Sequence, residues 1–333
     1  PEGTASVTAH GSLLHQVSPF WYTATSPTAI DLSANTDPAQ TLPLLAAIRS
    51  TGGKVVPSIS DGMKAGGMAA VLADPARRAA HVKAIVSLAT KNNYDGIDLD
   101  YEQFAFADAR STWDTTRPNW VAFVTELATA LHAKTKLLTV SVPPIYDTGR
   151  TADSGYWVYD YAAMGTVVDG IRIMAYDYSV GEPGPIAPYD WVKVAVKAAK
   201  RAVDDDTKLV LGVGLYGRNW VVGTVGACPS VAEATTPVTQ RGVTDLMAKR
   251  NATPIHDPVT REAHFTYELQ VTDGTATCTQ SREVHYIDEQ GAADRIDLAR
   301  EERIGGVAFW ALGFDSEAVW TEVTAVATPQ AAP

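Results

Sequence analysis

Short apolar, β-branched runs alternate with longer amphipathic stretches along most of this chain, and that rhythm constrains the fold more than any other feature. Strands are expected at Val17–Tyr22, Lys54–Ser60, Tyr94–Glu102, Leu137–Pro143, Gly170–Tyr178, Leu209–Tyr216 and Ile304–Leu312. Helices are expected at Ala39–Ser50, Asp74–Lys91, Pro118–Ala133, Tyr189–Val203 and Asp288–Glu302. Pro75 and Pro118 suit first helical turns, where a missing N–H leaves no bond unmade. Strands without a solvated face belong in a parallel sheet covered by helices. Seven or eight such units in 333 residues predict an α/β fold of the closed (β/α)8 TIM barrel type. Ala5–Ala9 is a candidate for the first strand, although its pattern is poor.

The rhythm breaks between residues 219 and 286. This stretch holds scattered Thr and Pro and two alternating runs, His264–Val271 and Arg282–Ile287. It predicts a small α+β insertion after strand 7, on the face where barrel loops vary in length. The expected organisation is a catalytic barrel of residues 1–218 and 287–324, an insertion of 219–286 and a flexible tail of 325–333. Both cysteines, Cys228 and Cys278, lie in the insertion. A disulfide between them is expected and would favour an oxidising compartment; the other reading is two unrelated buried thiols.

Composition narrows the partners. Hydrophobic residues make up 46% of the chain and charged residues 20%, enough for a sizeable core. A net charge of −11 argues against nucleic acid or an anionic membrane as partner. No apolar run reaches the length of a membrane span, so no membrane insertion is expected. The first residues lack the basic start and apolar middle of an export signal, so the chain is either cytosolic or has lost such a segment. A monomer is expected.

The chemistry concentrates in Tyr94–Glu102, YDGIDLDYE. Side chains of an extended strand alternate, so Asp98, Asp100 and Glu102 share one face while Ile97, Leu99 and Tyr101 share the other. Like charges disfavour joint ionisation, so at least one of these acids should keep its proton well above the usual range. A protonated carboxyl beside an ionised one is what cleavage of a glycosidic bond requires. Barrels carry their functional residues at the C-terminal ends of strands. Glu102 is therefore expected at the mouth, with Asp100 and Asp98 progressively deeper. The other reading is an edge strand whose acids simply face water.

DGIDLDYE resembles the DxxDxDxE signature of glycoside hydrolase family 18, the chitinases and endo-β-N-acetylglucosaminidases. Further landmarks follow in the family's order: MAYD at Met174–Asp177, LYGR at Leu215–Arg218 and GVAFW at Gly306–Trp310. SPFWY at Ser18–Tyr22, FTY at Phe265–Tyr267 and VHYID at Val284–Asp288 look most like the spore-cortex-lytic and germination subgroup. The resemblance implies a secreted or cell-envelope hydrolase of N-acetylglucosamine-containing glycans, with no cofactor and no metal. It implies retention assisted by the substrate, an exception to the usual two-carboxylate scheme. Glu102 would be acid and base, Asp100 would orient the acetamido group, Asp98 would tune Asp100 by sharing a proton, and Tyr176 would bond the acetamido oxygen. Asp177, Met174, Trp310, Tyr216, Arg218 and Phe20 would line the substrate site, with Trp310 as its apolar floor.

Each of these residues also has a plainer reading. Trp310 and Phe20 fit barrel core, Tyr176 an interior strand, Asp177 a turn cap, Asp98 a buried ion pair, and Tyr216 and Arg218 braces of the rim. A non-catalytic sugar-binding relative and a barrel glycosidase for glycans without a 2-acetamido group are the rival functions. Three apparent motifs fail. Gly212, Gly214 and Gly217 spell a dinucleotide fingerprint, but no helix is expected directly after them. The acid series lacks the glycine of a calcium loop, having Gln103 at the sixth position. The seven histidines show no paired metal spacing.

Overall fold

The computed structural model describes residues 2–147, 150–151, 154–232 and 234–326. Among them, seven strands of the main sheet precede the insertion: β1 (Phe20–Ala24), β2 (Ile30–Leu32), β3 (Ser58–Asp61), β4 (Gly96–Asp100), β5 (Leu137–Val142), β6 (Gly170–Ile173) and β7 (Leu209–Gly214). The insertion holds β8 (Tyr216–Gly226), β9 (Thr236–Thr239), β10 (Ile255–Asp257), β11 (Glu262–Asp273) and β12 (Ala276–Tyr286). The main sheet then ends with β13 (Gly306–Trp310). Its strands lie in the order β2-β1-β3-β4-β5-β6-β7-β13, all parallel except β1 with β2. Phe20 on β1 meets Trp310 at the end of β13 edge-on, ring centroids 5.4 Å apart.

Burial explains the order. Ile59, Ile97, Leu99, Leu138, Val140, Ile171, Ile173 and Leu211 are fully shielded from solvent. Each such side chain stabilises the fold by roughly 1.5–3 kcal/mol. The helix Trp113–His132 turns Trp120, Phe123, Val124, Leu127 and Leu131 onto one buried stripe, the spacing of a helix face. Asp74 caps the helix Pro75–Lys91 by accepting from the Ala76 and Arg77 N–H groups, with Pro75 in its first turn.

Three expectations are corrected. Ala5–Ala9 is not strand but part of the helix Glu2–His10. Its small residues let it lie close to the C-terminal helix: Val7 is buried, the Ser6 hydroxyl donates to Asp315, and His10 stacks on Trp320. Ile30–Leu32, too short to register as a periodic run, is an edge strand paired antiparallel with β1. Pro118 is inside its helix, because Trp113 anchors an earlier start by donating its Nε1–H to the Phe104 carbonyl at 2.6 Å. The expected tail starts inside a helix, Glu317–Val326, which includes Ala325; residues 327–333 lie outside the described residues.

The insertion forms an antiparallel sheet in the order β9-β8-β12-β11-β10. One face covers the helix Gln240–Arg250 through Val243, Ala263, Phe265, Val284 and Tyr286. Cys228 and Cys278 are disulfide-bonded. Glu262 at the start of β11 ties this sheet to the barrel. It accepts from the backbone N–H groups of Ile186 and Ala187 at 2.7 Å each, and from the Arg295 guanidinium at 3.0 Å. Both members of that ion pair are 1% exposed.

Removing one partner of a buried pair leaves a charge with no compensation, at a cost of about 3–5 kcal/mol. Glu262→Ala should therefore lower stability by that amount in denaturant unfolding. Glu262→Gln should cost less, because its carbonyl still accepts. Equal stability of Glu262→Ala and the parent chain would show that the pair does not anchor the insertion.

Candidate active site

The acids of DGIDLDYE are sorted by depth. Asp98 is 1% exposed on the barrel interior and is held by neighbours from three strands. The Ser58 hydroxyl on β3 donates to it at 2.8 Å, and those of Thr139 and Ser141 on β5 donate at 2.7 and 3.0 Å. The Arg172 guanidinium on β6 lies 3.2 Å away and also donates to the Ser18 hydroxyl at 2.7 Å. Asp100, one step up the strand, is 8% exposed, and its Oδ1 meets no hydrogen-bond partner among the described residues.

Glu102 corrects the expected strand. β4 stops at Asp100, and Glu102 adopts helical backbone (φ −97°, ψ −9°) at the start of a short helix, Gln103–Phe106. The cause is local: the Glu102 carbonyl accepts from the Ala105 and Phe106 N–H groups, bending the chain at the barrel rim. The bend brings the Glu102 carboxyl to within hydrogen-bonding reach of Asp100. The turn is braced from outside the barrel. The Tyr159 hydroxyl donates to the Tyr101 carbonyl at 2.6 Å, and the Tyr101 hydroxyl meets His81 Nε2 at 2.6 Å.

Burial pushes the Asp100 carboxyl well above the ordinary carboxylate range, with the Glu102 and Asp98 charges adding to the effect and Arg172 opposing it. Burial also raises Glu102, helped by Asp177; its hydrogen bond with Asp100 acts the other way. Two hydrogen-bonded carboxyls in one low-dielectric site retain a proton between them where isolated acids would have lost it.

These carboxyls line a cavity of about 2020 Å³ along the barrel interior, together with Met174, Tyr176, Asp177, Tyr216, Arg218, Phe20 and Trp310. Phe20 and Trp310 are each 39% exposed, which sets them apart from barrel core. A register shift in the pairing of β1 with β3 falls between Phe20 and Tyr22, and Tyr22 is buried with its hydroxyl 2.7 Å from that of Tyr94. Asp177 has left-handed backbone (φ 57°) and accepts from the Tyr216 hydroxyl at 2.7 Å and from Arg218 at 2.8 Å. Tyr216 and Arg218 therefore hold the Asp177 carboxylate at the rim.

Sequence reasoning missed Arg172 and the hydroxyls of Ser58, Thr139 and Ser141. The signal was present: counting back from Tyr176 by twos gives Met174 and Arg172, one inward row. Asp61 was missed as well. It ends β3 buried, one oxygen without a partner, and burial and the Asp108 charge push it up to about 6, against the Met63 N–H. No group of three metal-binding side chains occurs among the described residues.

With this geometry in view, comparison with known proteins is direct. The sequence profile of the Glycosyl hydrolases family 18 matches residues 11–315. The uncharacterized glycosylase YvbX of Bacillus subtilis (strain 168) is 27% identical over 241 residues, covering 72% of this chain and 63% of that protein. The cortical fragment-lytic enzyme of Bacillus anthracis is 26% identical over 253 residues, covering 75% of this chain and 54% of that one. The chain thus spans between half and two thirds of the length of these relatives. The crystal structure of a chitinase from Chromobacterium violaceum shares the fold with a TM-score of 0.79 at 23% identity, covering 97% of this chain and 94% of that one. A match that takes in nearly the whole barrel, the acid series included, assigns this chain to glycosyl hydrolase family 18.

Proposed function

We propose that the protein is a retaining, substrate-assisted hydrolase of β-linked N-acetylglucosamine glycans, with Glu102 as acid and base. The observation that carries this reading is the hydrogen-bonded Asp100–Glu102 pair at the mouth of a cavity with an aromatic wall. Glu102, the less buried of the two, gives its proton to the departing glycosidic oxygen. The substrate's own 2-acetamido oxygen forms the new bond to the anomeric carbon. Asp100 Oδ1, buried and without a hydrogen-bond partner among the described residues, accepts from the acetamido N–H. Tyr176 donates to the acetamido oxygen, and Trp310 lies under the sugar ring. Glu102, now ionised, takes the proton of the water that opens the intermediate.

The glycan is chitin-like, a peptidoglycan backbone or an N-glycan core. The cortical fragment-lytic relative favours peptidoglycan among these. The disulfide supports an extracellular or envelope location. No helix among the described residues is long and apolar enough to cross a membrane.

Glu102→Gln should lower hydrolysis of N-acetylglucosamine oligomers by about two to four orders of magnitude while oligomer binding persists. Release of reducing ends at the parent rate would sink the assignment. A thiazoline analogue of the cyclised intermediate should compete with substrate; indifference to it would favour a glycosidase acting on sugars without the acetamido group.

The same pair should cost stability. Its carboxyls are raised above their unfolded values, so ionising them as pH climbs through the folded value works against the native state. Asp100→Asn mimics the neutral acid. It should melt at a higher temperature than the parent at pH 8, and the gain should fade as pH falls and vanish below about pH 3, where the unfolded acid is itself largely protonated. A gain independent of pH would refute this account.

A further inference from the structure

We propose that the outer face of the helix Tyr189–Ala202, with the aromatic groove at its head, is a second glycan-binding surface. It holds the strand that continues out of the barrel mouth and favours glycans that carry carboxylates. The inference rests on the reading given under Proposed function and adds a substrate preference to it. A groove of about 480 Å³ lies against this helix, lined by Tyr146, Tyr178, Asp190, Trp191 and Val194. The Tyr178 ring meets Trp191 edge-on at 5.3 Å, and the Tyr146 ring lies 6.2 Å from it on a tilt. Tyr178 is 55% and Val194 49% exposed, so the groove presents an apolar patch to solvent. Tyr146, Tyr178 and Trp191 also line the barrel cavity, which makes groove and cavity continuous. Ring faces with a few polar groups at their edge suit the apolar faces and hydroxyls of a pyranose. Asp190, exposed at the groove, is the acceptor for those hydroxyls.

Charge on the helix sets the preference. Residues three and four apart share a helix face. Lys193, Lys197 and Arg201 therefore run in one row beside Asp190 and Val194, while Val192, Ala195, Val196 and Ala199 turn into the core. Lys197 and Arg201 are exposed, and Lys193 is half-buried. Neither lysine has an ion-pair partner among the described residues, whereas Lys200, off the row, pairs with Asp206 and Glu302 at 3.3 Å each. Arg201 donates to the Tyr146 carbonyl at 3.2 Å, which ties the row to the groove wall. This cationic row runs against a chain whose net charge is −11. A neutral sugar polymer makes no use of it; a strand with carboxylates on its sugars does.

Two polymers separate the parts of the proposal. One is peptidoglycan strands freed of peptides by an amidase, whose lactyl groups end in carboxylates; the other is neutral glycol chitin. The double variant Lys193→Gln, Lys197→Gln should raise KM on the carboxylate strands about fivefold at low salt, with kcat unchanged, and added salt should erase the difference. Its KM on glycol chitin and on N-acetylglucosamine tetramer should match the parent's. Val194→Asp should raise KM about threefold or more on both polymers and leave the tetramer alone. A merely structural role would shift all three substrates together, and that result overturns the proposal. So does an unchanged KM of the lysine variant on the carboxylate strands. Binding is also read without turnover, by electrophoresis through gels with and without the carboxylate strands. Retardation of the parent that the lysine variant loses supports the surface; equal retardation of both overturns it. A parent chain that is retarded yet hydrolyses none of the three glycans would defeat the functional reading and leave the surface standing.

Discussion

A carboxylate buried at the bottom of the barrel site, Asp98, is the element on which the rest of the site is built. An isolated anion in that position would cost several kcal/mol and would neutralise itself by taking a proton. It is matched instead by three hydroxyls and a guanidinium drawn from β3, β5 and β6. The barrel is what makes this possible: parallel strands in register place Ser58 beside Asp98 and Asp98 beside Thr139 in one level of the interior. With Asp98 compensated from the sides, Asp100 and Glu102 follow it toward the rim in an acidic site where burial raises both carboxyls. Those are the conditions under which a carboxyl remains a proton donor near neutrality.

Depth then separates the roles of chemically similar groups. Asp98, Asp100 and Glu102 are spaced by twos in sequence, but the chain leaves strand geometry after Asp100. The helical turn at Glu102 bends its carboxyl toward Asp100, where continued strand would have carried it farther along the barrel axis. The outer brace of His81, Tyr101 and Tyr159 fixes that turn. These are interior hydrogen bonds between groups that cannot relax toward water, so they define one position for the Glu102 backbone.

Much of this was legible in the chain before any coordinates. The alternation of apolar runs and amphipathic segments located the seven parallel strands of the main sheet, because such strands bury both faces and leave an unmistakable run. Ile30–Leu32 escaped, since three residues including Asp31 carry no period. The helix Glu2–His10 escaped for a different reason. Its partners are Asp315 and Trp320, some three hundred residues away, and no local pattern reports such a contact. In the site, the acids stood out because three of them at a spacing of two are rare and costly. Arg172 did not, because one basic residue in an apolar strand has many readings until Asp98 is seen 3.2 Å away. The register shift between Phe20 and Tyr22 belongs to the same class, being a property of two strands together.

The insertion belongs to the site as much as to the surface. β7 ends at Gly214, and after Leu215 the chain continues as β8 from Tyr216, so the first residues of the antiparallel sheet are also the rim of the barrel. Tyr216 and Arg218 reach from that strand to Asp177, whose left-handed backbone points its carboxylate at them. Asp177 in turn contributes to the raised proton affinity of Glu102. At its far side the same sheet is pinned by Glu262 and Arg295 to the loop that follows β6, at Ile186 and Ala187. The segment from Asp177 to Ala187 is thus gripped at both ends by the insertion. A displacement of that sheet would move the Asp177 charge that bears on Glu102, which gives the insertion an energetic connection to the acid pair.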